Sequence, residues 1–157
     1  MTRCRDRLAS YFVDNDVAFE TMRHHTAYTA QEVAAEQKVS GRQLAKVVMV
    51  KANGALAMLV LPADHRINFD RLERILGCEE VSLAKEEEFR DLFPDCDTGA
   101  MPPFGNLYEI PVYVDRSLTR DKEIVFNSGT HEETMKVRYD DYARLAHPIV
   151  AEFGWRL

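Results

Sequence analysis

The sequence predicts a mixed α/β (α+β) fold in a single domain, and three observations predict it. Apolar residues at helical spacing open the chain. Two apolar runs flank the turn signal Asn53-Gly54. Short strand-like and helix-like segments then alternate to the end. The 157 residues suit one domain with a sizeable core, so residues 1–157 are taken as one unit.

The elements follow in order. Residues 3–15 read as an amphipathic helix through Leu8, Tyr11 and Phe12, ended by Asn15-Asp16. Val17 to Thr21 reads as a short strand. Thr29-Ala-Gln-Glu32 is a capping box, so a helix is expected from Ala30 to about Lys38. Lys46 to Leu61 reads as a hairpin on a type I′ turn at Asn53-Gly54. That turn sets Ala52 opposite Ala55, Val50 opposite Ala57, Val48 opposite Leu59 and Lys46 opposite Leu61. Side chains alternate, so Lys46, Val48 and Val50 share one face and Val47, Met49 and Lys51 the other. Both faces are apolar, which fits a central strand covered on both sides.

Asn68 caps a helix over Phe69–Leu76 that Gly77 ends. Val81 and Leu83 mark a strand, and Lys85 to about Phe93 an acidic-faced helix stopped by Pro94. Asp95 to Asn106 is the main irregular loop. Strands follow at Pro111 to Val114, Glu123 to Asn127 and Thr134 to Arg138, and a last helix at about Asp140–Ala146.

Composition excludes several classes. Net charge is −6, with 20 Lys and Arg against 26 Asp and Glu. That disfavours general DNA binding, which needs a basic surface. Arg42, Lys46 and Lys51, and again Arg66, Arg71 and Arg74, form modest basic clusters that read as solvated faces or as a local patch. No apolar run approaches the roughly 20 residues that span a bilayer, so no membrane partner is expected. Met1 is not followed by an apolar signal core, and a cytoplasmic location is expected. Cys4, Cys78 and Cys96 are widely spaced, without the paired spacing of a zinc or thioredoxin-type site. His24-His25 is a weak metal pair, because adjacent residues on extended chain point apart. No metal or cofactor is expected. Walker, Gly-x-Gly-x-x-Gly, His-Glu-x-x-His and Gly-x-Ser-x-Gly patterns are absent.

Three segments carry candidate chemistry. Lys46 stands at the mouth of an apolar hairpin, where its charge is costly to desolvate. It reads either as a snorkelling strand-end lysine or as a cation that holds a carbonyl, phosphate or amine. Gly99-Ala-Met-Pro-Pro-Phe-Gly105 reads as a stiffened loop with an exposed aromatic near a ligand, or as a structural turn with Phe104 in the core. Asn127-Ser-Gly-Thr-His131 is a turn in which Gly129 offers a backbone N–H and His131 an acid, base or orienting group. The alternative is a polar turn with a surface histidine.

Taken together and in order, these segments resemble the YbaK / prolyl-tRNA synthetase-associated family of aminoacyl-tRNA editing domains. The resemblance runs from His25-Thr-Ala-Tyr-Thr-Ala-Gln-Glu-Val-Ala through Ala45-Lys46-Val-Val-Met-Val-Lys51 and Leu61-Pro-Ala-Asp-His-Arg-Ile-Asn68. It continues through the Gly99–Gly105 loop, Val112-Tyr-Val-Asp115 and Phe126-Asn-Ser-Gly-Thr-His131. It implies a mixed, barrel-like sheet surrounded by helices. It implies a free-standing aminoacyl-tRNA deacylase that hydrolyses the ester of a wrong, small amino acid on the tRNA 3′ end, with tRNA-Pro a candidate. Prolyl-tRNA synthetase or another synthetase is an implied partner.

The family's essential lysine falls on Lys46. The resemblance places catalytic roles on Lys46, Gly129 and His131, and substrate binding on Gly99, Pro103, Phe104, Gly105, Ser128 and Val47. Better-known subgroups follow the lysine with Asn or Thr, and Val47 departs from that, which bears on the amino acid accepted. Val48, Met49, Leu59 and Phe104 are further wall candidates for a size-selective pocket. Two other readings compete: a non-catalytic tRNA- or synthetase-binding module of the same fold, and a hydrolase of small free esters.

Overall fold

Two left-handed residues organise the central sheet. Asn53 and Gly54 have φ of 49° and 87°, the pair of positive values that a type I′ turn requires. The computed structural model describes residues 3–24, 29–36 and 43–156. The chain starts with α1 (Cys4–Asp14), β1 (Phe19–Arg23) and α2 (Ala30–Glu36). The hairpin strands β2 (Ala45–Ala52) and β3 (Ala55–Pro62) lead to β4 (His65–Ile67) and α3 (Phe69–Leu76). Next come β5 (Val81–Leu83), α4 (Glu86–Phe89), β6 (Val112–Asp115), β7 (Glu123–Asn127) and β8 (Glu133–Arg138). The chain closes with α5 (Tyr139–Ala146), β9 (Ile149–Ala151) and β10 (Gly154–Arg156).

A five-stranded sheet has the order β5-β2-β3-β6-β9, with β2 antiparallel to β3 and β5, and β6 parallel to β3 and β9. An antiparallel sheet β1-β8-β7 and a two-stranded β10-β4 pair complete the fold. A parallel bridge between Leu44 and Val125 ties β2 to β7. The domain is mixed α/β, but among the described residues the strands do not close into a barrel. The large sheet ends at β9, whose Ile149 and Val150 are exposed.

The hairpin register is as the turn dictates, including Lys46 opposite Leu61. Both faces are covered. Met49, Met58 and Val60 join the larger core with α1, the 101–104 loop and α5. Val50, Leu59 and Leu61 pack with Leu72 of α3 and Phe153. Asn68 caps α3 by accepting from the Arg71 N–H at 3.1 Å, and Thr29 Oγ1 accepts from the Glu32 N–H at the start of α2.

Some boundaries differ from the sequence reading. The first strand begins at Phe19, because Val17 is spent closing α1: its N–H donates to the Phe12 carbonyl at 2.8 Å. The acidic helix after Lys85 is shorter, passing into a 3-10 turn at Arg90–Leu92. Strands β4, β9 and β10 have three residues each, too few to show a period. His25, Lys38, Gly41 and Arg42 lie outside the described residues. Among the described residues no helix is long and apolar enough to cross a membrane.

Candidate active site

Lys46 is the second residue of β2, at the open end of the hairpin, and its side chain is half-buried. Burial is the main influence on its ammonium and lowers its pKa below the ordinary 10.5. The Asp64 carboxylate partly offsets this and Arg66 adds to it. Among the described residues, no carboxylate reaches ion-pair distance of Lys46. Asp64 is otherwise engaged, with His65 Nδ1 at 2.7 Å and Arg156 Nε at 3.8 Å. Lys51 behaves differently: its ammonium lies 2.6 Å from Glu88. The two lysines of one strand thus divide into an ion-paired one and one whose charge has no close counter-ion among the described residues.

The bridge at Leu44 and Val125 positions the neighbours of Lys46. Lys46 and Asn127 each lie two residues, about 7 Å of extended chain, beyond this parallel bridge. The Asn127–His131 turn therefore emerges at the same end as Lys46. The Gly99 loop interlocks with that turn. The Gly129 N–H donates to the Ala100 carbonyl at 2.9 Å, the Asp97 N–H to the Gly129 carbonyl at 2.7 Å, and His131 Nε2 lies 3.1 Å from the Thr98 carbonyl.

This interlock reassigns Gly129. Its N–H is committed to Ala100, so it is not a free donor for a developing oxyanion. Its φ is 106°, and a Cβ there would sit 2.6 Å from Cys4 Cβ, so glycine is demanded by conformation and by space. Gly99 has φ 90° and a weakly held N–H, 3.2 Å from the Met101 sulfur. A thioether is a poor acceptor, which makes Gly99 the better backbone donor of the two. The Ser128 hydroxyl and Asn127 Oδ1 are buried, with no partner among the described residues. Buried polar atoms normally have partners, so both offer unused hydrogen-bonding capacity beside the loop.

Other candidates fall elsewhere. Phe104 is fully buried, as in the core alternative of the two readings of its loop and not as the exposed one. Its ring meets Phe12, Phe126 and Tyr142 at centroid distances of 5.5, 5.6 and 5.2 Å. Pro103 and Gly105 are also buried, and a Cβ on Gly105 would sit 2.9 Å from the Ile110 carbonyl. Leu59 is fully covered too. Side chains without exposed surface cannot line a pocket, so Phe104 and Leu59 hold the loop and sheet in place. Met49 is nearly covered at 4 %. Val47 and Val48 are half-buried, on opposite faces of β2.

A concavity of about 260 Å³ adjoins the turn, lined by Cys4, Asp95, Ser128 and Gly129 among others. Cys4, Asp95 and Cys96 bring ligand-type atoms within 4.8 Å of one another. The Tyr108 hydroxyl already serves all three, donating to Asp95 at 2.9 Å and lying 3.4 Å from Cys96 and 3.9 Å from Cys4. Hydrogen bonding with Cys4, then burial, pushes the Cys96 thiol well above its ordinary range. The cluster is knit by hydrogen bonds through Tyr108, and its Asp95 carboxylate lies 3.7 Å from Arg7. A larger concavity of about 520 Å³ lies at the hairpin turn by Lys51, Asn53 and Glu80, at the opposite end of β2 from Lys46.

Replacing Gly129 with Ala is expected to cost at least about 2 kcal/mol in urea unfolding, from positive-φ strain plus the clash with Cys4. Combined with Cys4→Gly, it should cost less than the sum of the two single changes, because only the clash is relieved.

A lysine with no close counter-ion among the described residues, at the open end of a covered hairpin and at the same end of the Leu44–Val125 bridge as the interlocked glycine turns, defines a class of mixed α/β domain. The fold is shared with the crystal structure of a candidate trans-editing enzyme for prolyl-tRNA synthetase, at a TM-score of 0.84, 18% identity and 99% coverage of each chain. The chain is 28% identical over 152 residues to the multifunctional Ser/Thr-tRNA deacylase ProXp-y of Escherichia coli K12, covering 94% of this chain and 90% of that protein. It is 34% identical over 87 residues to a proline–tRNA ligase of Heliobacterium modesticaldum, covering 55% of this chain but only 15% of the ligase. The model of the aminoacyl-tRNA editing domain matches residues 24–145, and the chain belongs to that family.

Proposed function

We propose that the chain is a free-standing, trans-acting aminoacyl-tRNA deacylase. It hydrolyses the ester joining a wrongly attached small amino acid to the 3′ end of a tRNA, with tRNA-Pro the first candidate. The observation that carries this reading is Lys46: half-buried, without an ion-pair partner among the described residues, and at the same end of the Leu44–Val125 bridge as the Ser128 turn. The E. coli relative's name, a Ser/Thr-tRNA deacylase, supports serine and threonine as the amino acids to test first. A synthetase partner and a cytoplasmic location belong to the same proposal.

Aminoacyl esters are activated, so positioning and charge stabilisation suffice. Lys46 holds the terminal adenosine or the ester. Water, aided by the neighbouring ribose hydroxyl, adds to the carbonyl carbon. The oxyanion is met by the Lys46 ammonium and the Gly99 N–H. The carbon–oxygen bond to ribose then breaks, the ribose oxygen takes the proton, and the free amino acid leaves. Ser128 and Asn127, whose side-chain oxygens are covered in the free protein, support the turn behind the substrate end. His131, against the Thr98 carbonyl, orients the loop. Selection is by size, with Val48, on the face of Lys46, as one half-buried candidate for the wall and Val47, on the other face, as the alternative.

This mechanism has a pH signature. The ammonium form is the working form, so the rate falls as pH rises through the Lys46 pKa, at a midpoint below 10.5. Stability moves the other way. Between the folded pKa and the unfolded value the unfolded chain binds more protons, so the Lys46 contribution to stability rises with pH. Below the folded pKa the desolvation cost is present in full. A pH–rate profile of deacylation with unfolding curves at each pH checks both signs.

The test of the function is release of labelled amino acid from a panel of mischarged tRNAs. Hydrolysis of seryl- or threonyl-tRNA with cognate prolyl-tRNA spared supports the reading. Binding of tRNA without hydrolysis of any panel member replaces it with the non-catalytic module. Equal efficiency on amino-acid esters lacking tRNA replaces it with a small-ester hydrolase.

A further inference from the structure

We propose that Arg71, Arg74 and Arg116 form a docking surface for the phosphate backbone of the tRNA acceptor arm, with Trp155 between that surface and Lys46. This rests on the editing function proposed above. Arg71 and Arg74 stand one helical turn apart on α3, both exposed, and share with Arg116 a concavity of about 400 Å³. Among the described residues its one acidic lining residue, Glu152, lies 3.6 Å from Arg116 across an exposed pair. Asp70 and Glu73 of the same helix do not line it. In a chain of net charge −6, this face gathers positive charge locally, as a polyanion requires.

From this face, hydrogen bonds and a strand pair lead to Arg66, whose charge acts on Lys46. Asp115 is 3 % exposed and accepts from the Phe153 N–H at 3.2 Å and the Gly154 N–H at 2.7 Å. It also accepts from the Ser117 N–H at 3.2 Å and from the Ser117 hydroxyl. One buried carboxylate thus fixes the segment carrying Arg116 against the segment carrying Trp155. Trp155 pairs with Arg66 across β10 and β4, and Arg66 acts electrostatically on Lys46. Trp155 is 51 % exposed, a rigid aromatic face flanked by arginines, suited to lie against RNA. Backbone contacts carry no sequence information but fix register. Here they deliver the 3′ end to Lys46.

The test uses the chain's single tryptophan and the triple variant Arg71→Ala/Arg74→Ala/Arg116→Ala. Titrating wild type with uncharged tRNA should change Trp155 emission, and the triple variant should need at least about tenfold more tRNA. With mischarged tRNA the variant should show a raised KM and an unchanged kcat. Its dependence of log KM on log salt should be shallower by roughly two to three. On an aminoacylated CCA trinucleotide, variant and wild type should be equal. Unchanged Trp155 emission, a variant that titrates like wild type, or an equal loss on the trinucleotide overturns the docking surface. If wild type binds tRNA with these signatures but hydrolyses none, the editing function fails and the docking surface stands.

Discussion

Phe104→Ala is expected to destabilise the domain by about 3–5 kcal/mol, toward the upper end of large-to-small core changes. The ring is fully buried and touches rings from α1, β7 and α5, and Tyr11 lies edge-on at 6.3 Å. Its removal deletes apolar burial and several aromatic pairs, each worth about 0.5–1.5 kcal/mol beyond area. In a chain of this size the melting temperature should fall by roughly 10 °C or more. Phe104→Leu should retain most of the stability. A Phe104→Ala protein that melts like wild type while its KM for tRNA rises would show that the ring serves the ligand instead.

Lys46→Ala is expected to lower deacylation by about 10²–10³-fold, the usual effect of removing one donor to a developing oxyanion. Stability should hold or rise slightly, because the change removes a half-desolvated charge that has no ion-pair partner among the described residues. Lys46→Met, which keeps a stem without the charge, should be as slow as the alanine variant. A loss confined to KM, with kcat retained, would mean that Lys46 binds ground and transition states equally.

Local signals in the sequence carried most of the fold. Asn53-Gly54 fixed the hairpin register, Asn68 and Gly77 bounded α3, and alternation placed Lys46 on the Val48–Val50 face. Each depends on neighbours a few residues away. Phe104 was not legible in this way, because the rings that bury it come from residues far along the chain. Gly129 was placed correctly in a turn, but the fate of its N–H depends on Ala100, brought there only by the fold. Asp64 and Arg66 lie within a motif that was read, yet their influence on Lys46 arises because β3 turns back beside it. The three-residue strands β4, β9 and β10 exist through distant pairing and leave no local pattern.

The most direct measurement is single-turnover release of amino acid from seryl- or threonyl-tRNA-Pro by wild type and Lys46→Ala side by side, with unfolding curves for both. The predicted result is rapid hydrolysis by wild type, a rate at least about 100-fold lower for the variant, and matching stability. Equal rates for the two proteins would contradict the role assigned to Lys46.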